Sequence, residues 1–498
     1  MVRGCGSGRG YGSHGAYGSV TLGPSAPEIN LCPLQPFSFG RGLAYRASPM
    51  TAPLMISVAG VRGIVGESLT PPLLTAFAAA FGRSLGPGAI VVGRDARRSG
   101  PMVYRAVAAG LLAAGRDVID LGLATTPATQ VAVEELGAAG GVILTASHNP
   151  AEWNALKFLS ARGEFLDAVS GQRVRERYES GDELWVGFES LGAERHESRA
   201  DEWHIARVLG LEYLDLEAIR GRGLTVAVDG CASVGGVAVP RLLRALGTNV
   251  VEVDCVPDGR FTRELEPLPE HLGRLSSAVR EARADFGVAV DPDADRAALV
   301  DEQGAPLGEE YTLALATRVV LERHRGPVVT NLSTSRMMDS VCAQAHVALH
   351  RTPVGEAHVV HGMRACGAIV GGEGNGGVIV PAAHYGRDAL VAVALVCQGL
   401  ISRHKSLRAL VQDLPRYVML KAKAGRPAVP WERTEAKLRG LFPGYLAEVA
   451  DGLRLSHGDE WLHVRPSGTE PIVRIIVESP NEERTGALVA MARSALEG

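Results

Sequence analysis

The stretch GGEGNGGVIVP, residues 371–381, decides how this chain is read. Gly372, Gly374 and Gly377 satisfy G-x-G-x-x-G, the pattern of a loop that cradles a dinucleotide. Such a cradle must open a helix whose N-terminus meets the pyrophosphate. Here Val378, Ile379 and Val380 are β-branched and Pro381 stops them, so the glycines read as the turn of a strand-loop-strand. The chemistry then lies in the residues between the glycines. Glu373 and Asn375 can bond hydroxyls, and Glu373 can equally accept from an ammonium.

Working outward from this loop, strands and helices alternate from residue 55 onward. Residues 89–92 and 118–121 read as short buried strands with the amphipathic run 101–114 between them, a βαβ unit. A strand at 141–145 runs into Asn149-Pro150, which forces a turn. The cycle restarts with strands at 224–228, 250–253 and 286–290 around a helix at 237–246. A third round has a strand at 327–330, a helix at 335–344 and a strand at 368–370. Irregular connectors are expected at 195–202 and 301–307. Three α/β units of about a hundred residues each follow from this, a usual domain size. The tail reads as a smaller α+β unit, with strands at 461–464 and 472–477. The expected divisions are 50–200, 201–303, 304–413 and 414–498.

Residues 1–49 are glycine-rich, lack apolar periodicity and contain no signal-peptide core. They read as a disordered or non-native extension, Met50 and Met55 standing just before the first strand; a functional tail is the rival reading. With 51 basic and 55 acidic residues the net charge is −4, which gives no field to steer the chain to nucleic acid or an anionic membrane. The longest apolar run, 389–401, is too short for a bilayer span. Seven scattered cysteines without a C-x-x-C pair favour a reducing, cytoplasmic setting.

Three further motifs carry chemistry. Asp291, Asp293 and Asp295 alternate at a strand's end, so their oxygens can converge on one hard cation. Glu302 falls at position twelve of an EF-hand count, but Arg296 replaces the glycine at position six, and a strand precedes the loop. A solvated turn is the bland alternative, and three repelling aspartates disfavour it, so a Mg²⁺ site is preferred. TASHNP, 145–150, sets Ser147 beside His148 on a tight turn. Ser147 is a nucleophile or a turn residue; no G-x-S-x-G elbow surrounds it. Lys157 is an acid/base group or a surface lysine, and spacing does not decide. RPSGTEP, 465–471, gathers a guanidinium, two hydroxyls and a glycine-opened loop, suited to a phosphate dianion or simply a hairpin turn. Arg474 can lend a second positive charge. Arg62, alone between glycines, is uninformative by itself.

Together and in this order, TASHNP, DPDADR (291–296), GEGNGG (372–377) and RPSGTEP resemble the α-D-phosphohexomutase superfamily. GVRGIVGESLTP at 60–71, VGRDARRSG at 92–100 and PDGRFTRELEP at 257–267 support the resemblance, which covers residue 55 to the C-terminus. It implies four domains, three similar α/β domains with mixed sheets and a smaller α+β domain. It implies that Ser147 carries a phosphoryl group and that Asp291, Asp293 and Asp295, with Ser147, hold one Mg²⁺ per subunit, supported by Arg296. Arg62, His148 and Lys157 match positions for proton transfer and charge stabilisation. Glu373, Asn375, Glu356 and His358 match sugar-binding positions, and Arg465, Ser467, Gly468 and Thr469 the loop for the non-reacting phosphate.

The implied reaction moves phosphate between O6 and O1 of a hexose phosphate through a hexose 1,6-bisphosphate, in a monomer or homodimer. GEGNGG with VGEAHV looks most like the archaeal-type phosphoglucosamine mutase branch; phosphomannomutase or phosphoglucomutase is the alternative, and a Mg²⁺-dependent phosphatase or non-catalytic sugar-phosphate sensor the more remote one. Ala155, Trp153 and Ala59 depart from the usual glycine, tyrosine and serine, and His358 stands where asparagine is common.

Overall fold

One strand arrangement recurs three times along the chain: three parallel strands, then a fourth running antiparallel to the last of them. In the computed structural model the first set is Ile90–Arg94, Val118–Leu123 and Gly140–Leu144, followed by Trp153–Leu159. The second is Thr225–Asp229, Asn249–Val253 and Phe286–Val290, followed by Ala297–Val300. The third is Val328–Asn331, Leu349–Thr352 and Val370–Glu373, followed by Gly377–Ile379. The described residues are 53–57, 60–425, 429–466 and 472–497.

The repeat places the three expected site loops in equivalent positions. Each one joins the third parallel strand to the antiparallel strand, at the carboxyl edge of the sheet, where open α/β sheets leave a crevice for ligands. Residues 145–152 follow the first set's third strand, 291–296 the second's and 374–376 the third's. Gly377–Ile379 pairs antiparallel with Val370–Glu373, so GGEGNGG is the turn of a strand-loop-strand and opens no helix.

Crossover helices cover the sheets. In Gly100–Ala113, Val103, Val107 and Leu111 recur every fourth residue and are buried along one face. The apolar run seen at 389–401 is the helix Ala389–Arg403, buried from Ala389 to Leu400 in the largest core cluster. No helix among the described residues is long and apolar enough to cross a membrane.

The first sheet grows to seven strands by adding Met55–Ser57 and Gly60–Ile64 on one edge and Glu194–His196 on the other. The last corrects the expected irregular connector at 195–202: its start pairs parallel with Val118–Leu123 and its end begins the helix Ala200–Leu209. All three residues of that edge strand are exposed, so no apolar alternation marks it in the sequence.

The C-terminal part is a five-stranded antiparallel sheet ordered Val418–Gly425, Ile472–Ser479, Glu460–Pro466, Leu453–His457, Leu446–Glu448. Val473, Ile475 and Val477 alternate inward and pack with Leu438, Leu488 and Ala492 of the two helices on that face. The architecture is thus three α/β units with mixed sheets and a smaller α+β unit.

Candidate active site

Ser147 sits at the tip of the first site loop with φ 48°, a left-handed conformation that costs a non-glycine residue about 1–2 kcal/mol. What holds it there is Arg97, a fully buried guanidinium. Arg97 Nη2 donates to the carbonyls of Ser147 (2.5 Å) and Asn149 (2.6 Å), and Nη1 to those of Pro150 (2.6 Å) and Trp153 (3.0 Å). Its Nε donates to Asp95 Oδ2 at 3.1 Å, and Thr145 Oγ1 donates to the same oxygen at 2.6 Å. The Ser147 N–H in turn donates to Thr145 Oγ1 at 2.9 Å.

So fixed, the serine hydroxyl meets the acidic loop of the second unit. Ser147 Oγ donates to Asp291 Oδ2 at 2.8 Å and accepts from Arg296 Nη2 at 3.2 Å. Asp291, Asp293 and Asp295 are all buried, with ligand oxygens within 4.8 Å of one another. Burial, then the neighbouring Asp295 and Asp293, pushes the Asp291 carboxyl up to about 8. Asp293 goes the other way: against its burial, Lys157 at 2.8 Å holds it below the usual carboxylate range. Thr126 clamps this loop from the first unit, its Oγ1 donating to Asp293 Oδ2 at 2.7 Å and its N–H to the Asp293 carbonyl at 2.9 Å.

These residues fit a hard divalent cation. The donors are all carboxylate oxygens, and Oδ1 of both Asp293 and Asp295 is buried with no hydrogen-bond partner. Oxygens left so would cost about 1–3 kcal/mol each.

His148 lies next to Arg296, whose Nη2 donates to His148 Nδ1 at 2.8 Å. Burial, then the charge of Arg296, depresses its pKa to about 3, so the imidazole is neutral near pH 7 and presents Nε2–H. Arg62, on Gly60–Ile64, donates to Asn149 Oδ1 at 2.6 Å. Ala155, one of the departures from the family pattern, is paired with Arg62 across adjacent strands.

Ser147, His148, Lys157, Arg62 and Arg296 line one side of a cleft of about 660 Å³; Glu356, His358, Glu373 and Asn375 line the other. Arg387, which the sequence reading passed over, joins the two sides. Its Nη2 is 2.5 Å from Asp295, its Nη1 2.7 Å from Glu373 and its Nε 3.0 Å from Glu356. Against the effect of burial, these three carboxylates raise its pKa well above the ordinary value. The 374–376 loop also meets the end of the acidic loop directly, the Ala297 N–H donating to the Gly376 carbonyl at 3.1 Å.

Arg465 and Arg474 face each other across the C-terminal hairpin, and Arg465 Nη1 is 3.0 Å from Asp451 Oδ2. Ser467, Gly468 and Thr469 lie outside the described residues, as does the segment 1–49. Arg97 and Arg387 left one signal in the sequence: Arg97 stands two residues after Asp95 and Arg387 directly before Asp388, each between a strand and a helix, which is too common in a chain with 51 basic residues to single them out.

Family models for phosphoglucomutase/phosphomannomutase match the chain four times: alpha/beta/alpha domain I at 55–185, domain II at 204–304, domain III at 308–417 and the C-terminal domain at 431–495. A phosphoglucomutase/phosphomannomutase of Thermococcus kodakarensis is 36% identical over 449 residues, covering 88% of this chain and 97% of that protein. A probable phosphoglucosamine mutase of the same organism is also 36% identical, over 87% of this chain and 96% of its own length. A phosphoglucomutase/phosphomannomutase family protein from Burkholderia thailandensis has a solved structure that matches with TM-score 0.77 at 27% identity, covering 89% of this chain and 98% of that one. Four domain matches in the order of the four structural units, with full-length relatives on both sides of the substrate divide, place the chain in the phosphoglucomutase/phosphomannomutase family.

Proposed function

We propose that this phosphohexomutase interconverts glucosamine 6-phosphate and glucosamine 1-phosphate, with Ser147 as the phosphoryl carrier. The observation that supports the carrier role is the convergence of Ser147 Oγ on Asp291 and Arg296, at 2.8 and 3.2 Å, inside the cleft. Among the described residues of that wall, His148 has Nδ1 engaged, Lys157 is paired to Asp293, and Ser57 Oγ donates to the Gly60 carbonyl at 3.2 Å instead of meeting the acidic loop.

Phosphoryl transfer passes through a loose transition state, so the protein must position groups and offset charge rather than form many bonds. A Mg²⁺ held by Asp291, Asp293, Asp295 and an oxygen on Ser147 would supply Lewis-acid stabilisation of the transferring oxygens. Arg296 and Arg62 add fixed positive charge around Ser147. Arg97 holds the loop so that Ser147 Oγ points into the cleft. His148 Nε2–H can donate to a substrate or phosphoryl oxygen, and Lys157 is the group beside it that can move a proton.

The phosphoserine P–O bond breaks as the substrate's free hydroxyl oxygen bonds to phosphorus, and Oγ leaves with the pair. The hydroxyl proton ends, net, on the departing Ser147 Oγ, which is left as the hydroxyl that donates to Asp291, with the Lys157 ammonium offsetting charge as it moves. After the bisphosphate turns end for end, the reverse transfer returns its other phosphoryl group to Ser147. Glu373, Asn375, Glu356 and His358 would meet the sugar, and Arg465 with Ser467, Gly468, Thr469 and Arg474 the phosphate that is not reacting. The site thus draws one loop from each of the segments 50–200, 201–303, 304–413 and 414–498. The glucosamine assignment is supported by GEGNGG with VGEAHV and by the name of one of the two equally similar relatives.

Intact-mass measurement of the purified protein should reveal a phosphate adduct that maps to Ser147. The Ser147→Ala variant should lack both adduct and turnover while keeping its fold. Mutase activity in that variant would sink the carrier role. Rapid release of inorganic phosphate would make the protein a phosphatase instead. The substrate is tested with the hexose 1-phosphates of glucosamine, mannose and glucose, each with its bisphosphate activator: glucosamine phosphate should have the highest kcat/KM.

A further inference from the structure

The two carboxylates on the sugar side of the cleft are not equivalent. Glu373 is already engaged: its Oε1 accepts from Asn331 Nδ2 at 2.7 Å and from the Gly355 N–H at 2.9 Å, and its Oε2 accepts from Arg387 Nη1 at 2.7 Å. Glu356, the first residue of the helix Glu356–Cys366, is 7% exposed and lines the same cleft. Both of its carboxylate oxygens are buried and neither accepts a hydrogen bond. Arg387 Nε stands 3.0 Å from Oε2, an ion-pair distance without hydrogen-bond alignment.

Charge sharpens the difference. The single charge of Arg387 is divided among Asp295, Glu373 and Glu356, whereas Arg62, Arg296 and Lys157 stand on the opposite wall beside the phosphoryl carrier. The sugar side therefore carries a net negative charge. A sugar hydroxyl arriving there would satisfy an oxygen but leave that charge in place. An ammonium would offset the charge and offer three N–H donors to an acceptor that has none.

Resting on the reading of the cleft as the hexose phosphate site, we infer that Glu356 is the counter-ion for a protonated amino group on the sugar, and so the residue that selects amino-sugar phosphates over neutral ones. Glu373 then acts as a fixed strut that holds Gly355, and with it the start of the Glu356 helix, against Asn331 and Arg387. Burial pushes the Glu356 carboxyl up to about 7, with the Arg387 charge opposing it, so an arriving ammonium would supply the counter-charge that draws it into its ionised form.

The test is a ratio: kcat/KM for glucosamine 6-phosphate over that for glucose 6-phosphate, in the wild type and in Glu356→Gln and Glu356→Asp. The ratio is insensitive to the fraction of active protein. Glutamine keeps a hydrogen-bond acceptor and removes the charge, so the ratio should fall about 10- to 150-fold, the usual worth of a charge-assisted hydrogen bond. Aspartate keeps the charge and should retain most of the preference. N-acetylglucosamine 6-phosphate, which carries a neutral amide at the same carbon, should be a poor substrate of the wild type.

If Glu356→Gln turns over too slowly, dissociation constants of the two sugar phosphates from calorimetry give the same ratio. A wild type that prefers neutral hexose phosphates refutes the substrate assignment, and this inference with it. A wild type that prefers glucosamine phosphate, with a ratio that survives within about threefold in Glu356→Gln, leaves the assignment standing and removes Glu356 as the counter-ion.

Discussion

Arg97→Met asks whether one buried guanidinium holds the Ser147 loop in shape. Arg97 makes four bonds to carbonyls of residues 147, 149, 150 and 153 and one to Asp95, and its side chain is fully buried. At about 1.5–3 kcal/mol for each charged bond the simple sum exceeds 7 kcal/mol, but bonds to one side chain are not independent. Breaking a buried ion pair by removing one partner costs about 3–5 kcal/mol, which is the better guide. Methionine fills much of the volume, so the loss is of charge and donors. At about 2–4 °C per kcal/mol the melting transition should fall by roughly 6–20 °C. Turnover should fall further than stability implies. Ser147 would no longer be held at its strained φ, and a misplacement of about 1 Å costs on the order of a hundredfold. Arg97→Lys should recover part of the stability through Asp95 but little of the turnover, because an ammonium does not span four carbonyls. Calorimetric scans and steady-state kinetics on both variants decide the matter. An Arg97→Met enzyme that melts within about 2 °C of the wild type and turns over within threefold would refute the account of the loop.

Removal of divalent metal by chelation should abolish turnover and added Mg²⁺ should restore it; a fully active, metal-free preparation verified by elemental analysis would contradict the reading of the acidic loop. Asp295→Asn should raise the Mg²⁺ concentration needed for half-activity, because it removes one of three converging charges, and an unchanged requirement would count against Asp295 as a ligand. Glu310 provides a test by pH. Burial pushes its carboxyl up to about 8, against about 4.3 in an unfolded chain. Between those values the unfolded state has released the proton that the folded state keeps, so this group's contribution to stability falls as pH rises and levels off above about 8. Glu310→Gln keeps an acceptor for the Ser335 N–H, 2.9 Å from Glu310 Oε2, and should raise the melting temperature at pH 8 more than at pH 5. Equal shifts at the two pH values would show that Glu310 is not held neutral.

The architecture and the loops that carry Ser147 and the three aspartates were legible because their signals are local. TASHNP and DPDADR each sit at a strand's end, and the β-branched residues after GGEGNGG forecast Gly377–Ile379 without reference to the rest of the chain. The residues that hold those loops were not legible. Arg97 acts on carbonyls about fifty residues away and Arg387 on Asp295, 92 residues away, so no window of sequence contains the partner. Glu373 is the instructive case. Its place at the strand-loop-strand turn was readable, but its three partners, from three separate segments, were not, and they engage both of its oxygens.

The fourth unit depends most on such distant contacts. Glu478, buried on its sheet, accepts from Ser335 Oγ at 2.5 Å, the Arg336 N–H at 2.9 Å and Trp461 Nε1 at 2.6 Å. Ser333 Oγ lies 2.8 Å from His463 Nδ1. Asp451 accepts from Arg465 and, at 3.0 Å, from the Val354 N–H, two residues before Glu356. Arg465 belongs to the loop proposed for the distant phosphate, and Glu356 to the wall proposed to read the sugar. A hinge that opened this unit would break its bonds to Ser333, Ser335, Arg336 and Val354 together, so the loop proposed for the phosphate and the wall proposed for the sugar would be engaged or released as one. That coupling suits the proposed reaction, whose intermediate must be freed enough to turn round, yet held closely enough at both ends to be used again.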